Sequence, residues 1–261
     1  MNAIQIQKPI GLGPVCTEIE KVCKNAYRYK RCGLKPDHLL IPLDAGEGRT
    51  TLVEYLTDMY KEHGVLSFAS GLDDYIEISF DGTLHQLKQA FSAIDSAAVY
   101  ENEYANVIGM DITNLSLHMN ETQFGEFMSN CKRICENACV LFFVHSEPTK
   151  NEERLMEKLC ETIDHIKWIR VKPYTEEEIC RLMEKRMEEC GIELENHAAV
   201  HAVFLEMARR FPIATVSDAL AVADELIHVT DFSGLTPVLR EYSLTAWMKA
   251  WYGEKERREV K

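Results

Sequence analysis

Apolar residues recur at Leu52, Val53, Tyr55, Leu56, Met59 and Tyr60 with the three-and-four spacing of a helix, whereas 38–43 is a short apolar run that ends in a glycine-containing turn. The chain therefore runs strand, turn, helix from residue 38. The alternation continues with a strand at 75–80, a helix at 84–98, a strand at 107–111, a helix at 121–137, a strand at 139–145, a helix at 152–163 and a strand at 166–171. Such a pattern predicts a mostly parallel α/β sheet with helices on both faces. The segment Cys-Val-Leu-Phe-Phe-Val-His at 139–145 is apolar rather than alternating, as a strand covered on both faces should be. It belongs in the middle of the sheet.

The pattern changes at Pro173. Thr175 is a suitable N-cap, Glu176, Glu177 and Glu178 suit the positive end of a helix dipole, and Gly191 is a stop, which defines a helix over 176–190. Further helices are expected at 196–210, 214–229 and 236–252, with no strand-like segment among them. Ahead of the sheet, 1–15 reads as an irregular arm and 16–31 as a helix closed by Gly33. The expected division is an arm and helix at 1–33, an α/β domain at 34–172, and a small all-helical domain with a C-terminal helix at 173–261. The tail Glu-Lys-Glu-Arg-Arg-Glu-Val-Lys reads as a frayed helix or a solvated extension.

With 261 residues and 46% hydrophobic content, the chain can bury one sizeable core and a smaller second one. Lys and Arg number 29 against 42 Asp and Glu, a net charge of −13, which argues against a surface that grips nucleic acid throughout. A local basic patch stays open. Nine Cys without a Cys-x-x-Cys pair, no leader-like N-terminus and no apolar run of membrane-spanning length lead to the expectation of a cytoplasmic protein. Cys131, Cys135 and Cys139 have the spacing of one helical stripe, and core packing outweighs metal binding there because no fourth ligand stands nearby.

Chemistry enters at the first strand-to-helix turn, Leu43-Asp44-Ala45-Gly46-Glu47-Gly48-Arg49-Thr50-Thr51, set against the phosphate-loop pattern G-x-x-x-x-G-K-[ST]. Gly46 and Gly48 allow backbone N–H groups to turn inward on an anion, and Thr50 puts a hydroxyl where Mg²⁺ would sit at a helix N-terminus. Two positions depart: Leu43 stands for the first glycine and Arg49 for the lysine. Arg keeps the charge, but its planar fork is not a compact ammonium, and Asp44 adds a negative charge beside the phosphates. A weakened nucleotide affinity is expected. The competing reading of Ala45–Thr51 is a tight turn capped before a helix.

The loop, a Walker B-like strand Val107-Ile108-Gly109-Met110-Asp111, a strand ending Val144-His145-Ser146, and a helical segment opening Pro173-Tyr174-Thr175 together resemble the AAA+ ATPases over about residues 35–230. The resemblance implies that residues 44 to 51 (Asp44, Ala45, Gly46, Glu47, Gly48, Arg49, Thr50, Thr51) hold ATP or ADP. It implies that Thr50 and Asp111 hold Mg²⁺, that Asp111 and His145 serve the chemistry, and that the helical domain is a lid. Ser146 is an alternative to His145 as the polar group that orients water, and either residue also reads simply as a strand end.

Several family features are missing. Ile112 follows Asp111 where a glutamate usually polarises the attacking water, and Glu101, Glu103 and Glu121 are the carboxylates nearby in sequence. No Arg stands near Ala214 and Thr215, the second-sensor position; Arg209 and Arg210 lie one turn earlier, either as phosphate ligands or as helix-ending cations. Arg154 and Arg170 are weak candidates for an arginine finger. Tyr242, Trp247, Trp251 and Tyr252 read as packing of an amphipathic helix or as cover for a partner. Three functions follow from the resemblance: a weak ATPase coupling nucleotide state to a macromolecular partner, a non-catalytic nucleotide-binding subunit, or a scaffold in a larger assembly. The acidic balance favours protein over nucleic-acid partners, and homo-oligomers and mixed assemblies are both open.

Overall fold

The computed structural model describes residues 8–32, 34–66, 75–79, 106–113, 115, 121–210, 213 and 215–259. The chain forms two compact units, Met1–Lys172 and Pro173–Lys261.

In the first unit the described elements are α1 (Gly13–Arg31), β1 (His38–Pro42), α2 (Arg49–Glu62), β2 (Tyr75–Ser79), β3 (Val107–Asp111), α3 (Glu121–Asn137), β4 (Cys139–Val144), α4 (Lys150–Thr162) and β5 (Ile166–Trp168). The five strands form one sheet in the order β2-β3-β4-β1-β5, and every neighbouring pair is parallel. Parallel neighbours cannot be joined by tight hairpins, so the chain crosses back through helices, which then cover the sheet. Strand β4 is central and buried along its whole length, as its unbroken apolar run implies. Its even-numbered residues, with Leu40, Ile108 and Met110, meet Phe127 and Cys131 of α3 and Leu155 and Leu159 of α4 in one core. The helix expected at 84–98, with Glu101 and Glu103, lies outside the described residues.

Three local departures have physical causes. Helix α1 begins at Gly13 rather than at Cys16, because Pro14 fits a first turn, where its missing N–H is not needed, and because Val15 extends the buried stripe. Strand β5 stops at Trp168 rather than Val171 because Pro42 has no N–H for the next rung of the β1–β5 ladder. Cys139 opens β4 instead of continuing α3, so the expected three-thiol stripe holds only Cys131 and Cys135. All three thiols are buried, and Cys139, pushed up to about 12 by burial, lies 3.6 Å from the Tyr60 hydroxyl. Among the described residues no group of three or more His, Cys, Asp or Glu is placed to hold a metal ion.

The second unit contains α5 (Glu176–Glu189), β6 (Glu193–Leu194), α6 (His197–Arg210), α7 (Val216–Ile227), β7 (Val238–Leu239) and α8 (Glu241–Glu259) around its own core, centred on Met183, Val200, Phe204 and Leu226. Helix α5 starts in a capping box between Thr175 and Glu178, and Gly191, at φ 70°, turns the chain out of it. The short parallel pair β6–β7 is an addition to the helices read from the sequence. Two-residue strands carry no periodicity; they exist because Glu193 and Leu194 align with Val238 and Leu239 in three dimensions. That ladder holds the segment after Pro237 and delays α8 to Glu241. Trp247 and Trp251 stack at 6.4 Å between ring centroids and pack against the core, while Tyr242 stays exposed. No helix among the described residues is long and apolar enough to cross a membrane.

A pH response is built into this unit. His201 on α6 lies 2.7 Å through Nδ1 from Glu184 and 3.4 Å through Nε2 from Glu177, both on α5, with the His197 ring stacked at 6.2 Å. Its pKa is raised above 6.5, first by the hydrogen bond to Glu184. A raised folded-state value means that the contribution is complete below 6.5 and is lost as pH rises through the raised value. The native chain should therefore lose more thermal stability between pH 6 and pH 8 than His201→Gln does; equal slopes would refute this.

Candidate functional site at the strand-to-helix turn

The turn between β1 and α2 is made possible by Gly46 at φ 86° and Gly48 at φ 92°, left-handed conformations that side chains disfavour. Gly48 is the N-cap of α2 and supplies no side-chain acceptor, so the first N–H groups of the helix have no side-chain cap. The loop partly fills itself: Glu47 Oε2 accepts from the Asp44 N–H at 2.9 Å, and burial pushes the Glu47 carboxyl up against the lowering effect of that bond. Leu43 is fully buried, which explains an apolar residue at the first-glycine position. Ala45 and Thr51 are exposed.

Arg49 lies against the ends of the strands. Its Nε donates to the Leu43 carbonyl at 2.7 Å, its Nη1 to Asp111 Oδ2 at 2.5 Å, and its guanidinium carbon stands 5.4 Å from the centre of the Phe143 ring. Its Nη2 is buried without a hydrogen-bond partner. Only 11% of the Arg49 side chain and 22% of Asp111 are exposed, so the pair is shielded from solvent. The other Asp111 oxygen accepts from the Thr113 N–H at 3.0 Å and from the Thr113 hydroxyl at 2.7 Å. Both oxygens of this carboxylate are thus engaged within the protein. The next residue, Ile112, is fully buried in the α3–α4 core, a position where a glutamate would be stranded in apolar surroundings.

Thr50 is exposed, and its hydroxyl donates to Glu77 Oε2 on β2 at 3.1 Å. At the end of β4, Ser146 contacts the loop, donating through its N–H to Asp44 Oδ1 at 3.3 Å and through its hydroxyl to Asp44 Oδ2. His145 turns to a different partner: its Nδ1 lies 2.5 Å from Oε1 of Glu152 in α4. Glu152 is only 1% exposed and also closes the capping box with Thr149. Burial raises its carboxyl, but the hydrogen bonds from Thr149 and His145 outweigh that and hold it below the usual range.

The loop residues and Asp111 therefore come together, His145 is anchored to Glu152, and the link to the loop runs through Ser146. Thr215 caps α7 by accepting from the Asp218 N–H, and Ala214 lies outside the described residues. Arg209 pairs with Glu176 at 2.7 Å and Arg210 with Glu206, all four within the helical unit. Arg154, Arg170 and Glu121 are exposed. Sequence reading missed Glu77 and Glu152: a lone acid inside Tyr-Ile-Glu-Ile-Ser signals an unusual strand position, but its neighbour depends on register.

No protein-family model matches the chain, and no curated protein matches it in sequence. Among solved structures it is similar to Thermotoga maritima RuvB, a Holliday junction branch migration motor. That match has 14% identity and a TM-score of 0.56, covering 90% of this chain and 68% of that one. It is also similar to C. elegans PCH-2, at 12% identity and a TM-score of 0.59, over 98% of this chain and 73% of the other. At such identities the likeness concerns the fold alone.

Proposed function

We propose that this chain, whose fold is that of the AAA+ P-loop ATPases, binds ATP or ADP weakly at the 43–51 loop, hydrolyses ATP slowly at most, and passes the bound state to a protein partner. The observation that carries the reading is the solvent-shielded Arg49–Asp111 pair at the foot of a loop built on Gly46 and Gly48. Arg49, the cation of this loop, is held by an internal carboxylate, so a polyphosphate must compete for it. Asp44 and Glu47 lie in the loop itself, and Glu77 touches Thr50 at the start of α2, which makes a bare polyanion unwelcome. The residues fit Mg²⁺ in one respect: the Thr50 hydroxyl stands beside a carboxylate at the helix start. Mg²⁺ would neutralise phosphate charge there. With buried Ile112 after Asp111, no carboxylate at that place polarises a water, which supports slow turnover.

A second reading, a scaffold whose loop stays closed, is favoured by the internal partners that Asp44, Arg49 and Thr50 already have. Calorimetric titration with ADP and ATP, with and without Mg²⁺, together with phosphate-release measurements, separates the two. Weak Mg²⁺-dependent binding with little phosphate release supports the proposal. Silence at millimolar nucleotide leaves the scaffold. The net charge of −13 supports a protein rather than a nucleic-acid partner, and light scattering with and without nucleotide tests for a homo-oligomer.

A further inference from the structure

We infer that Glu77, on β2, is the carboxylate that holds the divalent cation of a bound nucleotide together with Thr50, in place of Asp111. The inference rests on the nucleotide reading given above and names a residue of that same site.

Three observations lead to it. First, the Thr50 hydroxyl and Glu77 Oε2 are 3.1 Å apart. Adjacent oxygens of an octahedral Mg²⁺ shell, each about 2.0–2.1 Å from the ion, are separated by about 2.9 Å. The two groups are spaced as neighbouring ligands of one ion. Second, Asp111 is engaged apart from its ion pair: Oδ1 receives both donors of Thr113, which nucleotide binding at Arg49 leaves in place. Glu77 is exposed and gives up only a hydroxyl contact.

Third, the sheet delivers Glu77 to this face. In the β2–β3 register Glu77 lies beside Gly109 and Ser79 beside Asp111, so Glu77, Gly109 and Asp111 share the side of the sheet that carries α2. Gly109 keeps that side open. A Cβ there would come within 3.7 Å of Glu77 Cγ and 2.6 Å of Val53 Cγ2. The neighbouring strand thus brings a carboxylate beside Thr50 on the side of the sheet that carries α2.

The test compares native chain, Glu77→Gln and Glu77→Asp by ADP calorimetry in Mg²⁺ and in chelator, with Mn²⁺ electron paramagnetic resonance of the ADP complex as a direct readout of the ion. Because Glu77 is exposed, the variants should fold, and circular dichroism checks this. Glu77→Gln is expected to lose about tenfold or more of the Mg²⁺-dependent gain in ADP affinity. It should also lose the bound-Mn²⁺ signal and show no loss of affinity in chelator, and Glu77→Asp should partly restore both the Mg²⁺ gain and the signal. A Glu77→Gln variant with the full native Mg²⁺ gain overturns the inference while leaving the nucleotide reading intact. A native chain that binds no ADP under either condition overturns both.

Discussion

Replacing Gly109 with alanine is expected to destabilise the α/β unit by about 1–3 kcal/mol, the usual cost of forcing extra volume into a packed core. A Cβ at this position would lie 2.6 Å from Val53 Cγ2, closer than any ordinary contact, and 3.4 Å from the Phe143 ring. Val53 is β-branched and sits in α2, where its rotamer is nearly fixed, so it cannot swing aside. The strain must move the helix, and that helix carries Arg49 and Thr50 at its first turn. Urea denaturation should show the loss, and adding Val53→Ala should recover part of it. Gly125, in α3 with nothing within 4 Å of its added Cβ, is the control: Gly125→Ala should stabilise by up to about 1 kcal/mol.

Arg49→Ala should cost stability as well as ligand binding, which would distinguish Arg49 from an ordinary surface cation. Removing one partner of a buried ion pair typically costs 3–5 kcal/mol because the other charge is left uncompensated. Asp111 is 22% exposed and keeps its Thr113 bonds, which places the expected loss at about 2–3 kcal/mol. Packing against Phe143 is lost too. ADP binding should fall below detection. Denaturation and calorimetry on the same preparation read both effects, and a variant of native stability would show that the ion pair is not formed in solution.

The alternating segments were enough to predict a parallel α/β unit, because unbroken apolar runs such as Cys139–Val144 arise only where both faces of a strand are covered. The capped start of α5 was equally legible, since Thr-x-x-Glu is local chemistry, whereas the Thr215 cap of α7 lay inside the helix expected from 214. What escaped depended on contacts between distant segments. The β6–β7 ladder needs Glu193 brought to Val238, and the end of β5 is set by Pro42 on another strand. At the site, the loop and Asp111 could be picked out by type and spacing. Their state could not: whether Arg49 faces a phosphate or Asp111, and whether His145 or Ser146 meets the loop, is decided by side-chain directions at the ends of three strands. Glu77 was hidden for the same reason, because its partner Thr50 lies on another element.

ADP affinity in chelator, for the native chain and for Asp111→Asn, tests most directly whether the Arg49–Asp111 pair must open before a nucleotide binds at the 43–51 loop. An ion pair that must open before phosphate can bind lowers affinity by about fivefold for each ~1 kcal/mol of opening cost. Asp111→Asn frees Arg49 without removing it, so the account predicts tighter Mg²⁺-free ADP binding, by about fivefold or more, than in the native chain. Unchanged or weaker binding in Asp111→Asn would contradict it.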